Sequence, residues 1–166
     1  RYMPPKLDTS KLVVLKAKVF GGEPGPAATL APKLGPLGLN AKKVGEDIIK
    51  AGAPMKGIRV YAEIHAVNRT ATIKMIMGCA ALIIKEKGGY ERDRKKTKIQ
   101  KHEGNLTLEQ IKKVAKIMES EDRSMSKEFR GTVLQVLGTA NSLGVTVNGM
   151  SPKEVGNKVK AGELKI

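Results

Sequence analysis

Residues 71–89, ATIKMIMGCAALIIKEKGG, contain the change of period on which the fold turns. The run 71–77 reads as a strand. Beyond Gly78-Cys79-Ala80 the apolar spacing becomes helical, and 80–86 reads as a short apolar helix stopped by Gly88-Gly89. Residues 78–80 are therefore a hinge between a sheet-forming half and a helical half.

Toward the N-terminus, 57–66 is a second strand, joined to 71–77 by a tight turn around Asn68-Arg69. Before it, Asn40 caps a helix over 41–52 with Val44, Ile48 and Ile49 on its apolar face, and Gly52 and Pro54 stop it. Residues 21–39, GGEPGPAATLAPKLGPLGL, are rich in Gly and Pro. Residues 11–20, KLVVLKAKVF, end in strict alternation, with Val13, Leu15, Ala17 and Val19 on one face, as in a half-buried strand. Residues 1–10 hold two prolines, show no period and read as a flexible N-terminus. The N-terminal domain is thus β-loop-α-β-β over 11–77.

Toward the C-terminus, a polar loop occupies 88–106. Thr107 with Gln110 has capping-box spacing, and Ile111, Val114, Ala115 and Met118 form one helical stripe. A long helix covers 124–143 and stops at Gly144. Val145-Thr146-Val147 is a short strand, and Ser151-Pro152 opens a helix over 152–161 within the tail 150–166. The second domain, 81–149, is mainly helical. The fold class is α+β, two small domains in tandem.

Charge narrows the function. The chain of 166 residues carries 31 Lys and Arg against 16 Asp and Glu, a net +15. Residues 1–80 contribute +8 and residues 81–166 contribute +7. Both halves are adapted to a polyanion. No apolar run approaches the roughly 18 residues of a membrane span, the N-terminus lacks signal-peptide architecture, and no basic helix carries Trp or Phe for a membrane surface. Nucleic acid is favoured over a membrane. The aromatics are only Tyr2, Tyr61, Tyr90, Phe20 and Phe129, with no Trp. Five scattered rings hardly provide a base-stacking platform, so folded RNA or duplex DNA, read through backbone and shape, fits better. The lone Cys79 excludes an internal disulfide and a cysteine-based zinc site.

Three features carry the candidate site. The loop ERDRKKTKIQKHEGN (91–105) holds Arg92, Arg94, Lys95, Lys96, Lys98 and Lys101 against Asp93 alone between 92 and 101. It suits phosphate binding, with order gained on RNA; a solvated loop and a nuclear import signal are the alternatives. On the long helix, Phe129, Val133, Val136, Leu137, Ala140 and Leu143 make a core face. Opposite lie Gly131, Gln135, Gly138 and Ser142, where Lys and Glu would be ordinary. Interior helix glycines cost about 0.5–1 kcal/mol each relative to Ala. They clear a strip for another backbone, with Thr139, Asn141 and Ser142 offering short hydrogen-bonding groups to sugar and base edges. Close packing on another helix is the competing account. Third, APKLGPLGLN (31–40) is a shaped loop without the P-loop spacing. From its residues alone, a rigid connector and a partner-docking loop stand equal.

An enzyme is disfavoured. His65 lies in a strand pattern and His102 in the basic loop, with no partner at catalytic or metal-ligand spacing. No catalytic residue, metal, cofactor or small-molecule substrate is expected. A duplex-DNA reader is the better rival, but such readers put Arg, Asn or Gln on the groove-facing helix, where this chain has Gly and Ser.

The stretches 21–48, 91–107 and 131–149, in this order, resemble the eukaryotic and archaeal form of the universal L11 ribosomal protein family, found at the stalk base of the large subunit. LAPKLGPLGLN and LGTANSLG are its most specific signatures here, and the likeness covers nearly the whole chain. The resemblance implies that the C-terminal domain binds a compact large-subunit rRNA fold of the GTPase-associated centre. The long helix would then lie in a shallow minor groove through Gly138, Thr139, Asn141, Ser142 and Gly144, with Arg92 to Lys101 on phosphates. It implies that the proline loop, with Pro32, Lys33, Gly35, Pro36, Gly38 and Asn40, faces the same RNA and the docking site of translational GTPases (elongation factors), and that acidic stalk proteins anchor alongside. It further implies a ribosomal, cytoplasmic location, with nuclear and nucleolar passage during assembly in a eukaryote. The segment 119–127, ESEDRSMSK, is more acidic than the resemblance implies.

Overall fold

The computed structural model describes residues 11–23, 27–88, 102–164 and 166. The N-terminal ten residues and the cationic run 92–101 lie outside the described residues. Two compact units meet between Gly78 and Cys79.

In the first unit, β1 (Val13–Phe20), β2 (Arg59–Val67) and β3 (Thr70–Met77) form an antiparallel sheet with β2 in the middle. The register sets Val19 against Val60, Ala17 against Ala62 and Leu15 against Ile64. Ile73 and Met75 of β3 stand opposite Ile64 and Ala62. The alternation of the strands therefore builds one apolar face, where Val60, Ala62 and Ile64 are fully buried, and a mixed one that carries Lys16, Lys18 and Lys74 with Phe20, Tyr61 and the buried Ile76. Asn68 and Arg69 make the hairpin turn with φ of 47° and 59°. Two left-handed residues in a row match the right-handed twist of the flanking strands.

The segment expected to be a Pro/Gly connector contains a helix, α1 (Ala27–Leu34), followed by a 3₁₀ turn at Gly35–Leu37. The simple β-loop-α-β-β order thus gains an element. Leu30, Leu34 and Leu37 are all buried, each worth about 1.5–3 kcal/mol. Together they outweigh the roughly 3 kcal/mol that Pro32 costs inside a helix. The second helix, α2 (Ala41–Gly52), starts where expected: Asn40 Oδ1 accepts from the Lys42 amide at 3.0 Å. Val44 and Ile48 are buried, Ile49 is half-buried, and α2 packs on β3 while α1 packs on α2.

The second unit comprises α3 (Cys79–Lys87), β4 (Asn105–Leu106), α4 (Leu108–Ser120), α5 (Phe129–Leu143), β5 (Thr146–Val147) and α6 (Pro152–Ala161). Cys79 and Ala80, read as hinge residues, lie in the first turn of α3. Thr107 and Gln110 form the capping box: the Thr107 amide donates to Gln110 Oε1 at 2.9 Å, and the Gln110 amide donates to Thr107 Oγ1 at 3.3 Å. α5 is central, in contact with α3, α4 and α6. Its buried line, Val133, Val136, Leu137 and Ala140, meets Ile111, Val114, Ala115 and Met118 of α4 in the core.

The long helix is shorter than the expected 124–143, because Ser124 and Ser126 divert the backbone. The Ser126 amide donates to Ser124 Oγ at 3.1 Å, and Ser126 Oγ donates to the Glu128 carbonyl at 2.9 Å. Such local side-chain bonds compete with the helix ladder. Residues 152–161, read as part of a tail, pack on α5 through buried Val155 and Val159. Arg130 of α5 donates to the Val159 carbonyl at 2.7 Å and also to that of Lys160, capping the C-terminus of α6.

Candidate nucleic-acid interface

The outer face of α5 is not uniform. A Cβ placed at Gly138 would meet no atom of the described residues within 4 Å. Asn141 and Ser142, three and four residues on, are both exposed and share its side of the helix. The hydroxyls here fold back on the helix: Thr139 Oγ1 donates to the Gln135 carbonyl at 3.1 Å, and Ser142 Oγ to the Thr139 carbonyl at 2.7 Å. The surface stays flat, and each hydroxyl oxygen keeps acceptor capacity for a ribose 2′-OH. Gly144 ends the helix with φ 81°, a left-handed cap for which glycine is the natural residue.

Gly131 differs. A Cβ there would lie 1.9 Å from Ser126 Oγ and 2.8 Å from Ser126 Cβ. Its cleared space is filled by the chain's own 124–128 segment, so the open strip begins beyond it. Gln135 is half-buried, and its Oε1 accepts from the Met125 amide at 3.4 Å. Gly138, Asn141 and Ser142 form the open part. Thr139 and Gly144 border it, half-buried.

The cations Arg92, Arg94, Lys95, Lys96, Lys98 and Lys101 lie outside the described residues, but the place where their segment re-enters the fold is defined. The His102 amide donates to the Leu143 carbonyl at 2.8 Å, in the last turn of α5. Next, β4 pairs in parallel with β5, and Asn105 Oδ1 accepts from the Gly149 amide at 2.9 Å. Lys101 therefore precedes a residue tied to the end of the glycine ridge.

On the inner side of α5, Thr132 is fully buried. It shares a 2.7 Å hydrogen bond with Ser124 Oγ and donates to Glu119 Oε1 at 3.0 Å. Cys79, at the start of α3, has its thiol pushed above its ordinary 9.0 by burial, against a hydrogen bond to Thr139 and the charge of Arg123. It is a packed thiol rather than a nucleophile.

In the first unit the proline segment is built into structure. Pro32 and Lys33 are exposed on α1, and Gly35 and Pro36 on the 3₁₀ turn, while Leu34 and Leu37 anchor them from below. Gly38 has φ 67°, and a Cβ on it would sit 3.6 Å from Arg69 Cγ. The side chain of Arg69 thus lies along Gly38 and joins the hairpin turn to the proline segment. The sequence signal for Arg69 was a bulky cation at a turn position that usually takes Gly. Among the described residues no helix is long and apolar enough to cross a membrane, and no cluster of His, Cys, Asp or Glu is placed to hold a metal ion.

Comparison with known proteins assigns both units. The family pattern described as ribosomal protein L11, N-terminal domain matches residues 15–71, and that described as ribosomal protein L11, RNA binding domain matches residues 78–147. The large ribosomal subunit protein uL11 of Dictyostelium discoideum is 46% identical over 164 residues, 99% of this chain and 98% of that protein. The uL11z protein of Arabidopsis thaliana is 47% identical over 165 residues, and the uL11 protein of Caenorhabditis elegans 44% over 164, each with the same coverage. With family patterns over both halves and such relatives over nearly its whole length, the chain belongs to the ribosomal protein L11 family, a family of structural rather than enzymatic proteins, and carries its RNA-binding domain.

Proposed function

We propose that this chain is a constituent of the large ribosomal subunit that binds folded rRNA at the stalk base and helps dock translational GTPases there. One observation carries the RNA reading: Gly138 stands open beside Asn141 and Ser142 on the central helix of the RNA-binding domain. A shallow RNA minor groove displays 2′-hydroxyls and base edges to such a surface. Phosphates fall to Arg92, Arg94, Lys95, Lys96, Lys98 and Lys101, whose segment returns to the fold at the end of the same helix.

The factor-facing reading rests on the first unit. Pro32, Lys33, Gly35 and Pro36 are exposed on a support of buried leucines, a preorganised surface that loses little entropy on contact. Acidic stalk proteins are the further partners, matched by the chain's net +15. The site of action is the ribosome in the cytoplasm, reached in a eukaryote through the nucleolus.

Filter binding of a stalk-base rRNA fragment against duplex DNA at matched salt tests the RNA reading. Preference for the fragment by about a thousandfold or more is expected of specific recognition; equal affinity for both defeats it. Co-sedimentation with large subunits and crosslink mapping tests the location. Crosslinks from Pro32–Pro36 to an elongation factor support the docking role, and their absence in a factor-bound complex removes it.

A further inference from the structure

Two of the chain's five rings, scattered in sequence, are brought together by the N-terminal sheet. The register pairs Lys18 with Tyr61 and Phe20 with Arg59, so Phe20 and Tyr61 are diagonal neighbours on adjacent strands. Both are on the face opposite buried Val19 and Val60. Lys18 Nζ lies 5.3 Å from the Tyr61 ring centre, and the Arg59 guanidinium lies 5.8 Å from that of Phe20. Lys16 and Lys74 flank Glu63 from the two outer strands on the same face. Lys16 holds the Glu63 carboxylate at 2.7 Å, so among the described residues of these strands four cations share the face with one acid that is already paired. Lys16, Lys18, Arg59 and Lys74 are all exposed, and the two rings are half-buried.

We propose that this sheet face is a second RNA site, which binds an unpaired stretch through base stacking on Phe20 and Tyr61 and phosphate contacts to Lys16, Lys18, Arg59 and Lys74. Open antiparallel sheets with rings on adjacent strands bind single strands in this manner, because every base offers a π-face. A cation–ring contact at an exposed site is weaker than a base–ring stack. Arriving bases therefore displace Lys18 and Arg59 from the rings and leave both cations beside the phosphates. An acidic peptide would meet the same charges but leave the rings unused, so the pairing of rings with cations favours RNA. The site uses no residue of the α5 ridge.

The test uses the full chain and a fluorescein-labelled oligouridylate read by anisotropy, with a 4-thiouridine version for crosslink mapping. Crosslinks on β1 and β2 at Phe20 or Tyr61 are expected. Tyr61→Leu should weaken binding about fivefold or more, Tyr61→Phe should restore it, and Gly138→Leu should leave it unchanged. Thermal melts check folding; Phe20→Leu replaces Tyr61→Leu if the latter unfolds. The proposal is overturned by crosslinks confined to other parts of the chain, by undiminished binding in the folded leucine variants, or by an oligo-aspartate peptide of equal charge that binds as tightly as the oligouridylate. Loss of stalk-base RNA binding in Gly138→Leu concerns the α5 reading alone, so the two proposals fail separately.

Discussion

Gly131 and Gly138 lie two turns apart on α5, yet a methyl group added to each would meet opposite surroundings. At Gly138 none of the described residues lies within reach. Gly138→Ala should therefore raise stability by about 0.5–1 kcal/mol, the ordinary gain of alanine over glycine in a helix. Gly138→Leu should fold as well but lose specific RNA binding, since a branched side chain then occupies the strip. Urea unfolding and a binding titration read the two effects; retained affinity in the folded leucine variant would remove the ridge from the mechanism. At Gly131 the added carbon would collide with Ser126. Gly131→Ala should cost about 1–3 kcal/mol through displacement of the 124–128 segment, with much of that returned by Ser126→Gly. A loss of similar size in both backgrounds would place the strain elsewhere. Cys79 has a pH signature of its own. Its thiol is raised by burial, so the folded state holds the proton more tightly than the unfolded chain. Stability is undiminished below the ordinary 9.0 and falls as pH rises beyond it. A Cys79→Ser variant should flatten that alkaline decline in pH-dependent melts.

Elements whose signals agree with one another are legible in the sequence. The alternation of 11–20, Asn40 ahead of Val44 and Ile48, and Thr107 with Gln110 each combine a periodic apolar set with a matching terminus. β1, α2 and α4 formed on those signals. The misread elements had signals in conflict. In 27–34, Leu30 and Leu34 have helical spacing, but Pro32 and the surrounding glycines argue for a loop; buried leucine contacts decide the outcome. In 124–128 the apolar period of α5 could be extended backward, but Ser124 and Ser126 offer the backbone closer partners. Thr132 was invisible as a core position because threonine is usually exposed, and its burial depends on Ser124 and Glu119 arriving from elsewhere. Thr132→Val keeps the shape and removes the hydroxyl. It should cost about 1–2 kcal/mol and speed amide exchange across the first turn of α5. Unaltered exchange at Phe129–Val133 would show that the helix start does not depend on this network.

At the scale of the whole molecule, charge and shape contribute to binding in ways that salt can separate. The net +15 is divided almost evenly between the halves, which made a polyanion partner readable from composition. On the reading proposed above, the choice of nucleic acid rests instead on a few uncharged residues of α5, and charge counting is blind to them. Contacts to phosphate release counterions, so their number sets the slope of log affinity against log salt; the contacts proposed for Gly138, Asn141 and Ser142, to sugar and base edges, would release none and set its height. Two classes of variant should therefore move along different axes. Lys95→Ala and Lys96→Ala should each lower the slope by about one, with affinity for rRNA and duplex DNA weakened together. Gly138→Leu should leave the slope near its original value while affinity for the rRNA fragment drops toward that for duplex DNA. Titrations of all three at several salt concentrations make the comparison. If the lysine variants keep the parent slope, the 92–101 segment never meets phosphate. If Gly138→Leu instead flattens the slope, the ridge acts only by bringing the cations close, and recognition of shape by α5 is lost as an explanation.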